Sequence, residues 1–321
     1  MADYACELEE ELRRRGFETG VGAADVAILS TAPYALGVYT GWLRVVAQAA
    51  RLRRRTRRIV VVRHEVFERP DDRLRMRVFE VLQRWSARRL EQWAAATVVA
   101  DGARADRLRR LVPAARPPEI VAVGPNLPVP RDRAVRDDSD VVLVVGLLHA
   151  DRDFETLVEA FPQLLERRPA ARLILAGALS GNDRRLAALE RRARELGVPV
   201  TRTGRLPAEE LARCFAGAGT FFSGYTRLLS FGSGTLAAAL AYALPVVVYD
   251  SATLGPGLAA GETVLTAPRT AEGVAAALEL ALGEDGRRVG SAGRRLYESE
   301  LSWETIATRF DELLRRVTAQ A

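Results

Sequence analysis

The chain of 321 residues contains no lysine; all 47 of its basic residues are arginine. Any anion site must therefore use a guanidinium, a planar fork of donors, in place of an ammonium. Cysteine and histidine are nearly as scarce, at two each. Cys6 and Cys214 cannot build a disulfide framework or a cysteine-rich metal centre, and both read as apolar fillers of helices. His64 and His149 are too few for a histidine-rich metal site, so no metal is expected. No apolar run reaches the roughly 20 residues of a membrane span; the longest, residues 234–249, is broken by Pro245. The opening segment, MADYACELEEELRRRG, lacks the apolar core of a signal peptide, which points to the cytoplasm.

What is present is an ordinary globular composition, long enough for two domains. The charge is uneven. Residues 1–130 hold 23 arginines against 16 acids, whereas the remainder is close to balanced. Arg44–Arg58 contains seven arginines and no acid. Such a local excess points to an anionic partner.

Short apolar runs alternate with amphipathic stretches. Strands are expected at Asp25–Leu29, Ile59–Val62, Thr97–Ala100 and Ile120–Val123, then at Val141–Val145, Ala171–Ala176, Val198–Arg202, Thr220–Ser223 and Pro245–Val248. Most are unbroken apolar runs, as in parallel strands covered on both faces. Helical patterns fill the intervals, and three more close the chain. This grammar predicts an α/β chain of two Rossmann-like domains facing across a cleft. The proline-rich stretch 124–140 separates them, giving domains 1–130 and 131–321, with the C-terminal helices in the second. The first half opens on a helix where a doubly wound domain opens with a strand and a glycine-rich turn. It therefore reads as lacking its first strand.

Two segments could carry chemistry. In Leu229–Asp250, LSFGSGTLAAALAYALPVVVYD, a glycine-serine turn leads into an alanine-rich helix. Amides at Ser233, Gly234 and Thr235 would lie unpaired in its first turn and, with the helix dipole, suit a diphosphate. A capped helix without ligand has the same sequence. In Val142–Phe161, VLVVGLLHADRDFETLVEAF, a strand ends at Gly146 and a helix begins near Asp153. Arg152 stands at the helix mouth, as a phosphate ligand or as a surface arginine.

These segments, in this order and spacing, resemble the C-terminal domain of the retaining group 1 glycosyltransferases. The resemblance continues through ARLILAG (171–177), VTRTGRL (200–206), Phe221–Val248 and SWETIATR (302–309). In the first half it includes IVVVRHE (59–65) and VAVGPNL (121–127). It implies a GT-B fold, with a nucleotide-sugar donor held by the second domain and an acceptor by the first. It also implies transfer of a hexose with retention, and no cofactor beyond the nucleotide-diphosphate sugar. The donor phosphates would meet Arg152, Gly232, Ser233, Gly234 and Thr235. Leu206 would lie under the base through its backbone, or simply pack. Ser230 falls where the family contacts the transferred sugar, and His149 borders the phosphates without a family counterpart. His64 matches the family's strand-end histidine, able to hydrogen-bond sugar or phosphate and to shift a proton. Glu65 is its acceptor-side neighbour. The acceptor is a glycan, a lipid-linked or a small molecule.

The chain departs from the family pattern at several positions. Leu147 replaces an arginine, Arg152 a lysine and Asp153 a glycine. The two donor-site glutamates, eight positions apart, become Ser230 and Ala238. Losing a charged hydrogen bond to a ligand costs about 1.5–3 kcal/mol. These losses keep open a second reading, a non-catalytic glycosyltransferase-like binding or partner protein. The stretch Arg51–Arg58 reads as a solvated helix end or as a contact with an anionic membrane at the cytoplasmic face. No aromatic platform is interleaved with it, so nucleic acid is not expected.

Overall fold

The computed structural model describes residues 2–20, 24–32, 40–66, 74–130, 139–146, 151–177 and 183–319. It divides into two units, Met1–Val123 with Trp303–Ala321, and Gly124–Ser302.

In the first unit, α1 (Ala2–Arg14) precedes β1 (Ala24–Thr31), α2 (Thr40–Leu52), β2 (Thr56–Arg63), α3 (Leu74–Trp93), β3 (Ala94–Val99), α4 (Gly102–Leu111) and β4 (Glu119–Ile120). The strands form a parallel sheet in the order β1-β2-β3-β4. Val60 to Val62 of β2 are buried from both sides, which explains their unbroken apolar run. A buried ion pair sits at the carboxyl end of β2. Arg63 donates to Glu91 at 2.8 and 3.1 Å, and Thr97 donates to the other oxygen of Glu91 at 2.9 Å.

The second unit contains β5 (Val141–Val145), α5 (Glu155–Arg167), β6 (Arg172–Ala176), α6 (Asp183–Glu195), β7 (Val200–Gly204), α7 (Ala208–Ala216), β8 (Thr220–Phe222), β9 (Leu228–Leu229), α8 (Gly234–Ala241), β10 (Val246–Tyr249), β11 (Thr253–Leu254), β12 (Leu265–Ala267), α9 (Ala271–Ala281) and α10 (Glu284–Leu296). The main sheet runs β12-β10-β8-β5-β6-β7, all parallel. Strand order reverses between β5 and β8. This is the switch point outside whose carboxyl ends doubly wound sheets bind ligands. Strands β9 and β11 pair apart from that sheet.

The last helix, α11 (Trp303–Ala319), corrects the sequence-based boundary. It belongs to the first unit and not to residues 131–321. Its buried stripe, Ile306, Phe310, Leu313, Leu314 and Val317, shares one core with Tyr4, Leu8 and Leu12 of α1 and with Val60, Val62 and Val98. A π-helical turn, Tyr297–Leu301, precedes it. The remaining expected strands lie within a few residues of those observed. Among the described residues no helix is long and apolar enough to cross a membrane.

Helix α8 is the element that positions the site, and its packing is tight. Leu236 to Ala241 are all buried. Its end is a Schellman turn, with Leu244 N–H bonded to Ala239 O at 2.9 Å and Ala243 N–H to Leu240 O at 3.0 Å. Such turns favour glycine at the left-handed position, which here is Ala243 at φ 53°. Against this turn lies Gly290 of α10, where a Cβ would fall 2.1 Å from Ala243 O. Opposite effects follow at one contact. Ala243→Gly should raise stability by about 1 kcal/mol, whereas Gly290→Ala should lower it by about 3 kcal/mol or more through overpacking. Chemical denaturation of the two variants checks both signs.

Candidate functional site

Three glycines with left-handed φ end neighbouring strands of the second sheet: Gly146 (110°) after β5, Gly177 (98°) after β6 and Gly204 (67°) closing β7. Gly146 N–H bonds Ala176 O and Gly177 N–H bonds Gly204 O, at 3.2 and 2.9 Å. The sheet's carboxyl edge there is bare backbone. A Cβ on Gly146 would meet Arg152 Nη1 at 2.9 Å.

Arg152 is not a surface arginine. It is 3% exposed, with Nε donating to Ser223 O at 2.8 Å and Nη1 to Val145 O at 2.9 Å. Those carbonyls end β8 and β5, so the guanidinium sits in the switch-point crevice. The rings of Phe154 and Tyr225 lie 4.8 and 4.9 Å from it. Burial lowers its pKa from the ordinary arginine value, yet a guanidinium stays charged. The same segment grips the loop after β8. Asp153 N–H bonds Gly224 O at 2.8 Å, and Thr226 N–H bonds Asp151 O at 2.9 Å. Gly224, at φ 68°, lies so close to Phe154 that a Cβ would fall 2.4 Å from its ring.

Two of the helices that begin at this edge, α5 and α8, flank the switch point, and the chain treats them differently. The start of α5 is occupied by the protein's own carboxylates. Asp153 accepts from Thr156 N–H at 3.0 Å, Thr156 Oγ1 at 2.8 Å and Arg269 Nε at 2.6 Å. Burial acts to raise the Asp153 pKa, but these bonds outweigh it and hold the carboxyl below its ordinary range. Glu155 is held low chiefly by its bonds from Arg185, which also donates to Arg152 O at 2.6 Å. The Asp153 carboxylate is thus compensated by a helix amide and hydroxyl, both of Thr156, and by Arg269. Neither Arg185 nor Arg269 was legible as part of this site, because each comes from a distant element and is one arginine among many.

The start of α8 is open. Ser233 caps it, with Oγ accepting from Leu236 N–H at 3.3 Å and lying 3.1 Å from Thr235 Oγ1. The Ser233 N–H, expected to be unpaired, is instead bonded to Ser230 O at 3.1 Å, because the turn before the helix folds back on itself. The amides of Gly234 and Thr235 fall in the first turn, where a helix offers them no acceptor. Gly232 through Thr235 are only partly buried. Ser230 is buried, and its Oγ accepts from Gly232 N–H at 3.4 Å. Ala238, where the family pattern has its second glutamate, is buried inside α8. Ser223 adds a group that sequence reasoning missed. Its hydroxyl is fully buried and has no hydrogen-bond partner among the described residues. Alternation along β8 places it on the face of Phe221, which packs on Phe215 of α7.

Leu206 is half-buried just beyond β7. His149 and Leu147 lie outside the described residues. His64 and Glu65 are in the first unit, at the carboxyl end of β2. His64 Nε2 is 2.8 Å from Ser30 Oγ, its carbonyl accepts from Arg104 Nε at 3.2 Å, and Tyr4 meets its ring edge-on at 4.8 Å. Among the described residues no three His, Cys, Asp or Glu side chains are grouped to hold a metal.

Comparison with solved structures places this architecture among GT-B glycosyltransferases. The chain is similar to HepE of Anabaena in complex with UDP and glucose, at 15% identity and a TM-score of 0.67, over 97% of this chain and 81% of that one. It is similar to sucrose-phosphate synthase of Thermosynechococcus elongatus at 20% identity and a TM-score of 0.64, over 99% and 79%. The pneumococcal O-GlcNAc transferase GtfA, in complex with UDP and GlcNAc, matches at 14% identity and a TM-score of 0.64, over 97% and 59%. No curated protein sequence matches the chain. Residues 139–284, within the second unit, match the family Glycosyl transferases group 1.

Two outcomes follow. Arg152→Met fills the same space but leaves two strand-end carbonyls without donors, so stability should fall by about 3 kcal/mol in denaturant titrations. The second concerns pH. Burial above all, with neighbouring positive charge that includes Arg104, pulls the His64 pKa down to about 4. The unfolded imidazole, near 6.5, then binds more protons than the folded one between these values. Stability should fall as pH drops from about 6.5 to about 4, by roughly 3 kcal/mol. A His64→Gln variant measured alongside should lack that component.

Proposed function

We propose that the protein transfers a hexose, with retention, from a nucleotide-diphosphate sugar to a glycan, lipid-linked or small-molecule acceptor. The observation that carries this reading is the open first turn of α8. Two amides and the hydroxyls of Ser233 and Thr235 converge there, on a loop tied to a buried cation at the switch point. As the sugar leaves, negative charge grows on the diphosphate. Fixed amide dipoles and the Arg152 charge beneath the edge stabilise it without reorganising. We assign the acceptor to the first unit, with His64 and Glu65 at its strand end. A neutral His64 can accept a proton but carries no charge of its own at pH 7. The neighbours bound to UDP make UDP the first nucleotide to try.

One observation favours the second reading, a non-catalytic binding protein. Ser230 and Ala238 stand where the family pattern carries carboxylates, and both are buried. Nucleotide binding without sugar transfer would select it.

Calorimetry with UDP and GDP tests the donor site. The protein should bind at least one of them, and Thr235→Asp should weaken binding by about tenfold or more. A carboxylate in the first turn favours the helix but repels phosphate. Failure to bind either nucleotide, or equal binding by the variant, would overturn the assignment.

A further inference from the structure

His64 is fixed from several sides. Its N–H bonds Thr31 O at 3.1 Å, joining it to β1. Its carbonyl accepts from Arg104 Nε, and Arg104 is itself bound to Asp101, the cap of α4. Side chains alternate along a strand, so the preceding Arg63 turns to Glu91 and Ala87 of α3 while the His64 ring turns to Tyr4 of α1. Tyr4 is buried and meets that ring edge-on, and Trp303 braces Tyr4 at 5.2 Å. Packing therefore sets the position and tilt of the imidazole.

Packing does not set which nitrogen carries the proton. Nε2 lies 2.8 Å from Ser30 Oγ, and this is the one side-chain hydrogen bond of Ser30 among the described residues. Nδ1 has no partner among the described residues and is not enclosed. Two arrangements are open. If Nε2–H donated to Ser30, the hydroxyl hydrogen would lose this acceptor, and Nδ1 would face outward as a bare lone pair. If Ser30 O–H donates to Nε2, the hydroxyl hydrogen is used and the proton of the neutral ring sits on Nδ1. Ser30 is half-buried, where a donor left without an acceptor is costly, so the second arrangement is favoured.

We propose that Ser30 is a positioning residue that fixes His64 in the Nδ1–H tautomer, so that the ring offers a hydrogen-bond donor, not a base, to an oxygen of the bound sugar or phosphate. The nitrogen able to accept a proton is taken by Ser30. An N–H aimed at an oxygen stabilises it most as negative charge develops there. The tautomer is a property of the first unit alone; the contact with a ligand rests on the transferase reading above.

The chain has only two histidines, so imidazole 15N correlation spectra of the full chain at pH 7 test the tautomer, with His64→Gln assigning the signals. Free histidine prefers its proton on Nε2. His64 should instead show Nδ1–H in about fivefold excess or more, the ratio one hydrogen bond supplies. Ser30→Ala should cut that excess about fivefold, and Ser30→Thr, which keeps the hydroxyl, should hold it. In transfer assays with UDP- and GDP-hexoses, Ser30→Ala should lower kcat about tenfold with donor KM within about twofold, and Ser30→Thr should recover most of the loss. An Nε2–H majority in the wild-type chain, or a ratio unmoved by Ser30→Ala, would overturn the proposal. So would an unchanged kcat in Ser30→Ala once the tautomer is lost. A wild-type chain that transfers no sugar would contradict the transferase reading instead, with the tautomer still decided by the spectra.

Discussion

A buried cation organises the second unit. At the point where strand order reverses, two neighbouring strands end with their carbonyls pointing the same way, and the helices that follow go to opposite faces. Arg152 fills that gap. Its planar fork spans Val145 O and Ser223 O, and the rings of Phe154 and Tyr225 lie 4.8 and 4.9 Å from it. A lysine ammonium lacks that rigid fork. The guanidinium thus closes the crevice with protein while leaving its charge beneath the surface. The loop that runs from β8 towards α8 is bound to the segment that carries it.

That arrangement distinguishes two helix starts at one sheet edge. Both present amides without an intrahelical acceptor and the positive end of a dipole. At α5 the chain supplies Asp153 and Glu155, and each is gripped by an arginine from elsewhere. At α8 it supplies only neutral groups, from Ser233 and Thr235. An anion arriving from solvent meets competition at the first and none of like charge at the second. Of the two starts, α8 is therefore the one free of a carboxylate of its own.

The strand-helix grammar was legible because parallel strands buried on both faces are nearly pure Val, Ile, Leu and Ala, as in Val141–Val145 and Val246–Tyr249. The glycine-serine start of α8 was legible for a local reason, since caps and turns are set by adjacent residues. What escaped was non-local. Nothing in SWETIATR says which of two cores the stripe of α11 completes, so the boundary fell too late. Arg152 looked the same from sequence whether it faced solvent or strand ends; its burial depends on Tyr225, more than seventy residues on. Arg185 and Arg269 were hidden by abundance, because in a chain with only arginine for cations no single one stands out. Short pairs such as β9 with β11 carry too few residues for any periodicity.

Diphosphate bound at the first turn of α8, and not at α5, would show in amide spectra of 15N-labelled protein titrated with UDP. The largest shifts should fall at Gly232, Ser233, Gly234 and Thr235, with the amides of Glu155 and Thr156 unmoved. Shifts centred on Glu155 and Thr156, or spread evenly with none at Gly234, would contradict it.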